Sequence, residues 1–461
     1  MNRRRFLRAL AGGGAAFSAW QFLPRAWSQA SRPPNFVFIF TDDQGYQDLG
    51  CFGSPLIKTP RIDRMAAEGM KFTSFYVAAP VCTPSRAALL TGCYPQRVSL
   101  PKVLFPQSKI GINPDEITLA ELLKTRGYAT ACIGKWHLGH LPKFLPTRHG
   151  FDYYFGIPYS NDMDVAKRGD PPIPLMRNEE IIEQPAVQET LTERYTEEAI
   201  KFITAHKNEP FFVYLPHTFP HVPLHVSERF RGRSKRGLYG DVIECIDWST
   251  GEILDTLARL GLDEQTLVIY TSDNGPWLSQ GKNGGSALPL RAGKGTTYEG
   301  GMRVPCVMRW PGHIPAGRVC DELATTMDIL PTFARLAGAE VPKDRIIDGK
   351  DIWPLMAGEP GAKTPHEAFF YYRGYALEAV RSGKWKLHLE RPVRRERGQP
   401  AKMRPIELYD LSADIGEQHN VAAEHPDVVA RLKELAQKCR EDLGDSITGT
   451  PGKNRRPAGT V

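Results

Sequence analysis

Four short apolar runs set the architecture of this 461-residue chain: 35–40 (NFVFIF), 129–133 (ATACI), 210–215 (PFFVYL) and 266–270 (TLVIY). They are rich in aromatic and β-branched residues and show no polar alternation. Runs of this kind suit strands buried on both faces, as in a parallel sheet covered by helices. Between them lie segments with helical texture, at 61–69, 119–126, 189–205 and 241–260. The alternation predicts an α/β fold, a doubly wound sheet sandwiched by helices. Near residue 362 the texture changes. Segments 367–372, 379–389 and 406–411 read as strands of an antiparallel meander, and 426–443 as one helix. We therefore expect a large domain over 31–362 and a smaller α+β domain over 363–443, a division that the length permits. The Gly/Pro/Thr-rich, basic stretch 444–461 is expected to be a mobile tail.

The first thirty residues read as an address. Residues 2–8 (NRRRFLR) resemble a twin-arginine export signal, a glycine-rich apolar run follows to Leu23, and Ser28-Gln29-Ala30 fits a small-x-small cleavage site. The apolar run is short and is interrupted by Gly12, Gly13, Gly14 and Pro24, so no stable membrane span is expected. The expectation is a cleavable signal over 1–30, the twin-arginine export machinery as a partner, and a periplasmic or secreted protein. That segment holds five arginines and no acid, so of the formal charge of +7 only +2 belongs to the remainder. A nucleic-acid surface is therefore not indicated. The cluster Arg391, Arg394, Arg395, Arg397, Lys402 and Arg404 is expected to be a solvated loop. Eight cysteines are scattered without short repeated spacing, which leaves their pairing open and points to no zinc site.

The expected strands end in polar residues of a particular kind. The first runs into Thr41-Asp42-Asp43, the fourth into Ser272-Asp273-Asn274-Gly275, and the third into His217-Thr218-Phe219-Pro220-His221. Ligands of open α/β sheets bind outside the carboxyl ends of strands. Asp42, Asp43, Asp273 and Asn274 then converge, and four such oxygens suit a hard divalent cation, with calcium the natural candidate. Cys82 opens Cys82-Thr83-Pro84-Ser85-Arg86, where Pro84 favours a helix start and Arg86 lies one turn on; this is a favourable place for an anion. Lys135 and His137 share one side of an extended Gly134-Lys135-Trp136-His137 segment. In the segment 291–301, Lys294 places a cation, and the glycines are expected to let backbone approach a ligand. With His221 these make a cationic cage beside a metal, suited to a tetrahedral oxyanion ester.

These residues resemble a known family. Cys82-Thr83-Pro84-Ser85-Arg86, continued through Ala87-Ala88-Leu89-Leu90-Thr91-Gly92, is similar to the signature of the type I sulfatases. Similar motifs stand at 41–46 (TDDQGY), 134–139 (GKWHLG), 271–275 (TSDNG), 293–301 (GKGTTYEGG) and 407–411 (ELYDL), in the family's order. With 156–160 (GIPYS) and the lysine segment, the chain looks closest to the arylsulfatase A and N-acetylgalactosamine-6-sulfatase branch. It departs at Asp414-Ile415-Gly416-Glu417, where many members have Asp-Pro; this is expected to affect only a local turn.

The resemblance implies an alkaline-phosphatase-like mixed sheet and oxidation of Cys82 to formylglycine by a separate formylglycine-generating enzyme. It implies calcium held by Asp42, Asp43, Asp273, Asn274 and the modified Cys82. Arg86 and Lys135 stabilise the hydrated aldehyde, and His137 serves as its base. His221 and Lys294 grip the sulfate and its bridging oxygen, and Ser160 is a further sulfate contact. The implied reaction is hydrolysis of sulfate esters of carbohydrates, with aryl sulfates as model substrates. A hydrolase of phosphate diesters or phosphonate monoesters shares the formylglycine motif, and a non-catalytic binder of sulfated glycans is the remaining rival. Loops 161–184, 225–238 and 391–404 are expected to choose the substrate.

Overall fold

The computed structural model describes residues 32–392 and 403–461, of which 33–461 form one compact unit. Its centre is a mixed sheet of eleven strands. The four expected runs are Asn35–Thr41, Ala129–Ile133, Phe211–Pro216 and Thr266–Ser272. Together with Tyr153–Gly156 they form the parallel middle, in the order Thr266–Ser272, Asn35–Thr41, Phe211–Pro216, Ala129–Ile133, Tyr153–Gly156. Antiparallel neighbours flank this middle, Arg303–Arg309 on one side and Leu175–Arg177 on the other.

The sandwich follows from alternation along the central strand. Phe36, Phe38 and Phe40 pack into one core with Ala87, Leu89, Leu123 and Phe333, from helices Cys82–Thr91, Leu119–Lys124 and Ile329–Ala337. Val37 and Ile39 pack into the other with Ile62, Tyr195 and Ile246, from helices Pro60–Ala67, Leu191–Ala205 and Leu238–Arg259. A strand that is apolar at every position is what two covered faces require.

The C-terminal antiparallel sheet runs Phe369–Arg373, Ala376–Ser382, Trp385–His388, Glu407–Asp410, with helix Pro426–Leu443 against it. The single run expected over 379–389 is a hairpin that turns at Gly383, where φ is 57°. Leu377, Leu387 and Leu432 belong to the same core as Phe36, so the change of texture near 362 marks a second sheet on a shared core.

The end of the chain departs from the expectation of a mobile tail. Gly459–Thr460 pairs with Ile110–Gly111. Arg456 donates to both carboxylate oxygens of the buried Glu116, at 2.7 and 2.9 Å. The basic residues that look solvated in sequence find a buried carboxylate, and that pairing anchors the segment.

The export-signal expectation lies outside the described residues, as does 393–402 of the basic cluster. The two cluster residues that border this stretch are not solvated as expected. Arg391 is buried, and both Arg391 and Arg404 donate to the Tyr298 hydroxyl. All eight cysteines are free thiols. No helix among the described residues is long and apolar enough to cross a membrane.

Candidate active site

The carboxyl ends of the parallel strands bring the expected residues together. Asp42 and Asp43 follow the first strand directly, and Asp273 and Asn274 follow the neighbouring one. The two strand ends are stitched: Asp273 N donates to Thr41 O at 2.9 Å, and Asp43 N to Asp273 Oδ1 at 3.1 Å. Asp43 has φ 65° and His137 has φ 60°. Left-handed backbone at non-glycine residues costs about 1–3 kcal/mol and gathers at functional sites, where the surroundings hold it in place.

Cys82 is the first residue of helix Cys82–Thr91 and is 3% exposed. Burial pushes its thiol up, against the pull of Lys135 and Lys294, so it stays a protonated thiol at neutral pH. Arg86, one turn on, is fully buried. It donates to Asp273 Oδ2 at 2.8 Å and to Lys135 O at 2.9 Å, and lies 3.4 Å from Asp42 Oδ2. Lys135 pairs with Asp42 Oδ2 and donates to Ser160 Oγ at 3.1 Å. Lys294 donates to Asp43 Oδ2 at 2.7 Å, and His221 Nε2 lies 3.6 Å from the same oxygen.

The electrostatics sort these groups. Burial works against ionisation of Asp42, but Lys135, His221, Arg86 and Lys294 together hold it well below the usual carboxylate range. Asp273 is pushed up to about 7 by burial and by the charge of Asp42, with Arg86 opposing. Burial opposes the charge on Lys294, but the neighbouring acidic groups, Asp43 foremost and Asp42 with it, together outweigh burial and hold the amine protonated. Burial and Lys135 keep His137 neutral, and burial and Lys294 lower His221. His137 Nε2 faces the Leu104 carbonyl at 2.8 Å, which assigns the proton to Nε2 and leaves Nδ1, which has no protein partner, as the acceptor.

Two buried acceptors bear on a metal. Asp42 Oδ1 and Asn274 Oδ1 have no hydrogen-bond partner in the protein. A buried oxygen without a donor is costly, and a cation satisfies it. The ligand atoms of Asp42, Asp43 and His221 all lie within 4.8 Å of one another. Asp273 stands beside them but turns Oδ2 to Arg86. The donor set of carboxylate and amide oxygens fits a hard divalent cation.

Three glycines of 291–301, Gly293, Gly300 and Gly301, serve packing within the protein, while Gly295 has open space around it. The three bring protein backbone against protein backbone: a Cβ on Gly275 would lie 1.7 Å from Gly300 O, and one on Gly301 2.1 Å from Thr296 O. Lys294 is thereby held between two strand-end loops, through Lys294 N to Pro276 O and Gly295 N to Pro80 O, both 2.9 Å.

Sequence reasoning missed two features. Trp277 lies 4.6 Å from the Lys294 ammonium, yet a tryptophan after Asn-Gly-Pro reads as an ordinary loop residue. Glu417 does more than shape a turn, which corrects the expectation for 414–417. Its buried carboxylate accepts from Glu299 N at 2.7 Å and sits 2.9 Å from Lys386 and 2.8 Å from His388.

A helix start carrying a cysteine, a ring of cations and a group of buried carboxylates at the ends of parallel strands define a hydrolase of tetrahedral oxyanion esters. A sulfatase family model matches residues 34–339, and one described as the C-terminal region of N-sulphoglucosamine sulphohydrolase matches 293–442. Arylsulfatase A of Homo sapiens is 41% identical, covering 92% of this chain and 91% of that protein. N-acetylgalactosamine-6-sulfatase of Mus musculus is 45% identical, covering 78% of this chain and 72% of that protein. The crystal structure of the PsFucS1 sulfatase from Pseudoalteromonas sp. superposes with a TM-score of 0.82 at 28% identity, covering 93% of this chain and 92% of that one. The chain belongs to the sulfatase family, in the branch of arylsulfatase A and N-acetylgalactosamine-6-sulfatase, and is a sulfuric ester hydrolase.

Proposed function

We propose that this sulfatase acts on sulfated carbohydrates through formylglycine at position 82 and a calcium ion held by Asp42, Asp43, Asp273 and Asn274. The observation that carries this reading is the pair of donorless buried oxygens, Asp42 Oδ1 and Asn274 Oδ1, in the same pocket as a cysteine that burial keeps from being a thiolate. The first calls for a cation; the second, at a helix start ringed by Arg86, Lys135 and Lys294, fits a side chain that reacts in a form other than the thiolate.

Oxidised to formylglycine, residue 82 would supply an aldehyde hydrate, with one hydroxyl to attack sulfur as the ester oxygen leaves with the alcohol, and a second whose loss of a proton would expel sulfate and restore the aldehyde. A calcium ion held by these oxygens would supply Lewis-acid stabilisation of negative charge in the site. The chain's own residues do the rest. Arg86 and Lys135 hold the position-82 side chain and offset developing negative charge. Neutral His137, with Nδ1 free, accepts a proton. Lys294, held protonated by Asp43, donates toward the leaving alcohol, while His221 and Ser160 orient the sulfate.

The family supports a sulfated sugar as substrate, since relatives include an enzyme named for N-acetylgalactosamine 6-sulfate. The arginine-rich start and its apolar run support export to the periplasm or beyond, and activity outside the cytoplasm matches the location of sulfated polysaccharides. The test is to purify the enzyme after co-expression with a formylglycine-generating enzyme and verify the aldehyde in the Cys82 peptide by mass. Hydrolysis of matched aryl sulfate, phosphate monoester and phosphodiester is then compared, with and without chelator. Preference for the sulfate, lost on chelation and restored by calcium, is expected. Preference for the diester, or indifference to chelation, overturns the reading.

A further inference from the structure

The sulfate end of this site is closed to solvent. Cys82, Arg86, Lys135, His137, Ser160 and His221 are each at most 3% exposed. Lys294 keeps 11% of its side chain exposed. Beside it stands a second residue that reaches solvent, Trp277. The Lys294 ammonium is 4.6 Å from the Trp277 ring centroid. The His221 ring centroid is 5.7 Å from it, with the planes at 55°. The indole thus touches the two groups that grip the sulfate and its bridging oxygen, at the edge where the site opens.

Geometry then fixes what meets Trp277. A sulfate monoester turned inward with its three terminal oxygens leaves the bridging oxygen, and the alcohol it carries, pointing out. Lys294 and Trp277, which reach solvent while the six residues around the sulfate do not, mark the side on which that alcohol would leave. The backbone that carries the indole is held by its neighbours: Lys294 N donates to Pro276 O at 2.9 Å, and Gln280 N to Trp277 O at 3.1 Å. An aromatic face at the edge of an otherwise polar site gains contact with the face of a ring, planar or chair, and gains little from an open chain.

We infer that Trp277 is the leaving-group platform of this enzyme, a specificity-determining residue that recognises a six-membered ring, aryl or pyranose, carried by the ester oxygen. The inference rests on the reading of the sulfate site given above. It also shifts part of substrate choice to the 276–294 loop, outside the three segments that the sequence pointed to.

The test uses Trp277→Ala and Trp277→Phe in the formylglycine-bearing, calcium-loaded enzyme. Steady-state kinetics are measured with an aryl sulfate and with a pyranose 6-sulfate. Inorganic sulfate, as a competitive inhibitor, is the ring-free probe. In Trp277→Ala the KM for the ring-bearing esters is expected to rise about five-fold or more, with Phe recovering most of the loss. The inhibition constant for inorganic sulfate is expected to stay unchanged. A rise confined to one ester supports the platform and names its ring. Weakening of inorganic sulfate in step with KM overturns the inference, because Trp277 then acts on Lys294 instead of the ring. Unchanged KM for both esters overturns it equally. Wild-type enzyme that turns over neither ester, with the aldehyde verified, is a failure of the underlying reading and is seen before any variant is made.

Discussion

Lys386 and Glu299, neither with any exposed side-chain surface, meet at 2.9 Å where the C-terminal sheet touches the segment that carries Lys294. Glu299 also accepts from Tyr371 at 3.0 Å, and Lys386 is shared with Glu417 at 2.9 Å. The C-terminal sheet therefore supplies, with Arg303 at 3.4 Å, a cation that lets a carboxylate be buried five residues beyond Lys294. Replacing Lys386 by Met leaves two buried acids without it. We expect a loss of about 3–5 kcal/mol in unfolding free energy, the range for breaking a buried pair from one side. Urea denaturation of wild type and Lys386→Met measures it; a change within 1 kcal/mol, on the order of a surface substitution, would show that the pair is dispensable.

Cys82→Ala removes the residue that is to become the nucleophile and only a small side chain from a helix start. Turnover of aryl sulfate should fall to background, while the circular dichroism spectrum and thermal midpoint stay near wild type. Residual activity near the wild-type level would exclude chemistry at position 82.

Calcium should stabilise the folded protein, because the donor oxygens converge only in the native state. At a concentration of 100 times Kd the gain is about 2.7 kcal/mol, which is read as a rise in Tm. Asp42→Asn replaces one anionic ligand and should abolish most of that rise. An unchanged calcium response in the variant would remove Asp42 from the ligand set.

Asp247 offers a pH test away from the site. It accepts from Arg61 N at 3.1 Å and Ile62 N at 2.8 Å, at the start of helix Pro60–Ala67. Burial nevertheless pushes its carboxyl up to about 7 from an ordinary 3.8. Between those values the native chain holds a proton that the unfolded chain has released, so stability falls as pH rises through the window. Asp247→Asn keeps the accepting oxygen and cannot titrate. Denaturation at pH 4.5 and 8 should show a smaller decline with pH in the variant; parallel declines would mean that Asp247 is ionised throughout.

Much of the site was legible because its chemistry sits at the ends of locally coded elements. The run 35–40 is apolar at every position and then meets Asp42 and Asp43, so strand end and ligand are read in one glance. Cys82 and Arg86 are one helical turn apart, a spacing that needs no tertiary information. The same local reading failed at Glu417, Arg456 and Trp277. Each looks like a loop or tail residue, and each takes its role from a partner far along the chain, such as Glu116, 340 residues from Arg456.

The sequence by itself determined four central strands of the sheet, the two covered faces and the identity of the residues at the strand ends, because burial pattern and backbone preference act between neighbours. Only the tertiary structure decided how those residues pair. Lys294 finds Asp43 across 251 positions, Arg86 takes Asp273 across 187, and Asp42 Oδ1 and Asn274 Oδ1 are left without donors. Ion pairs and unpartnered oxygens depend on which crossovers bring strand ends together and on a low-dielectric surrounding that no single segment can supply.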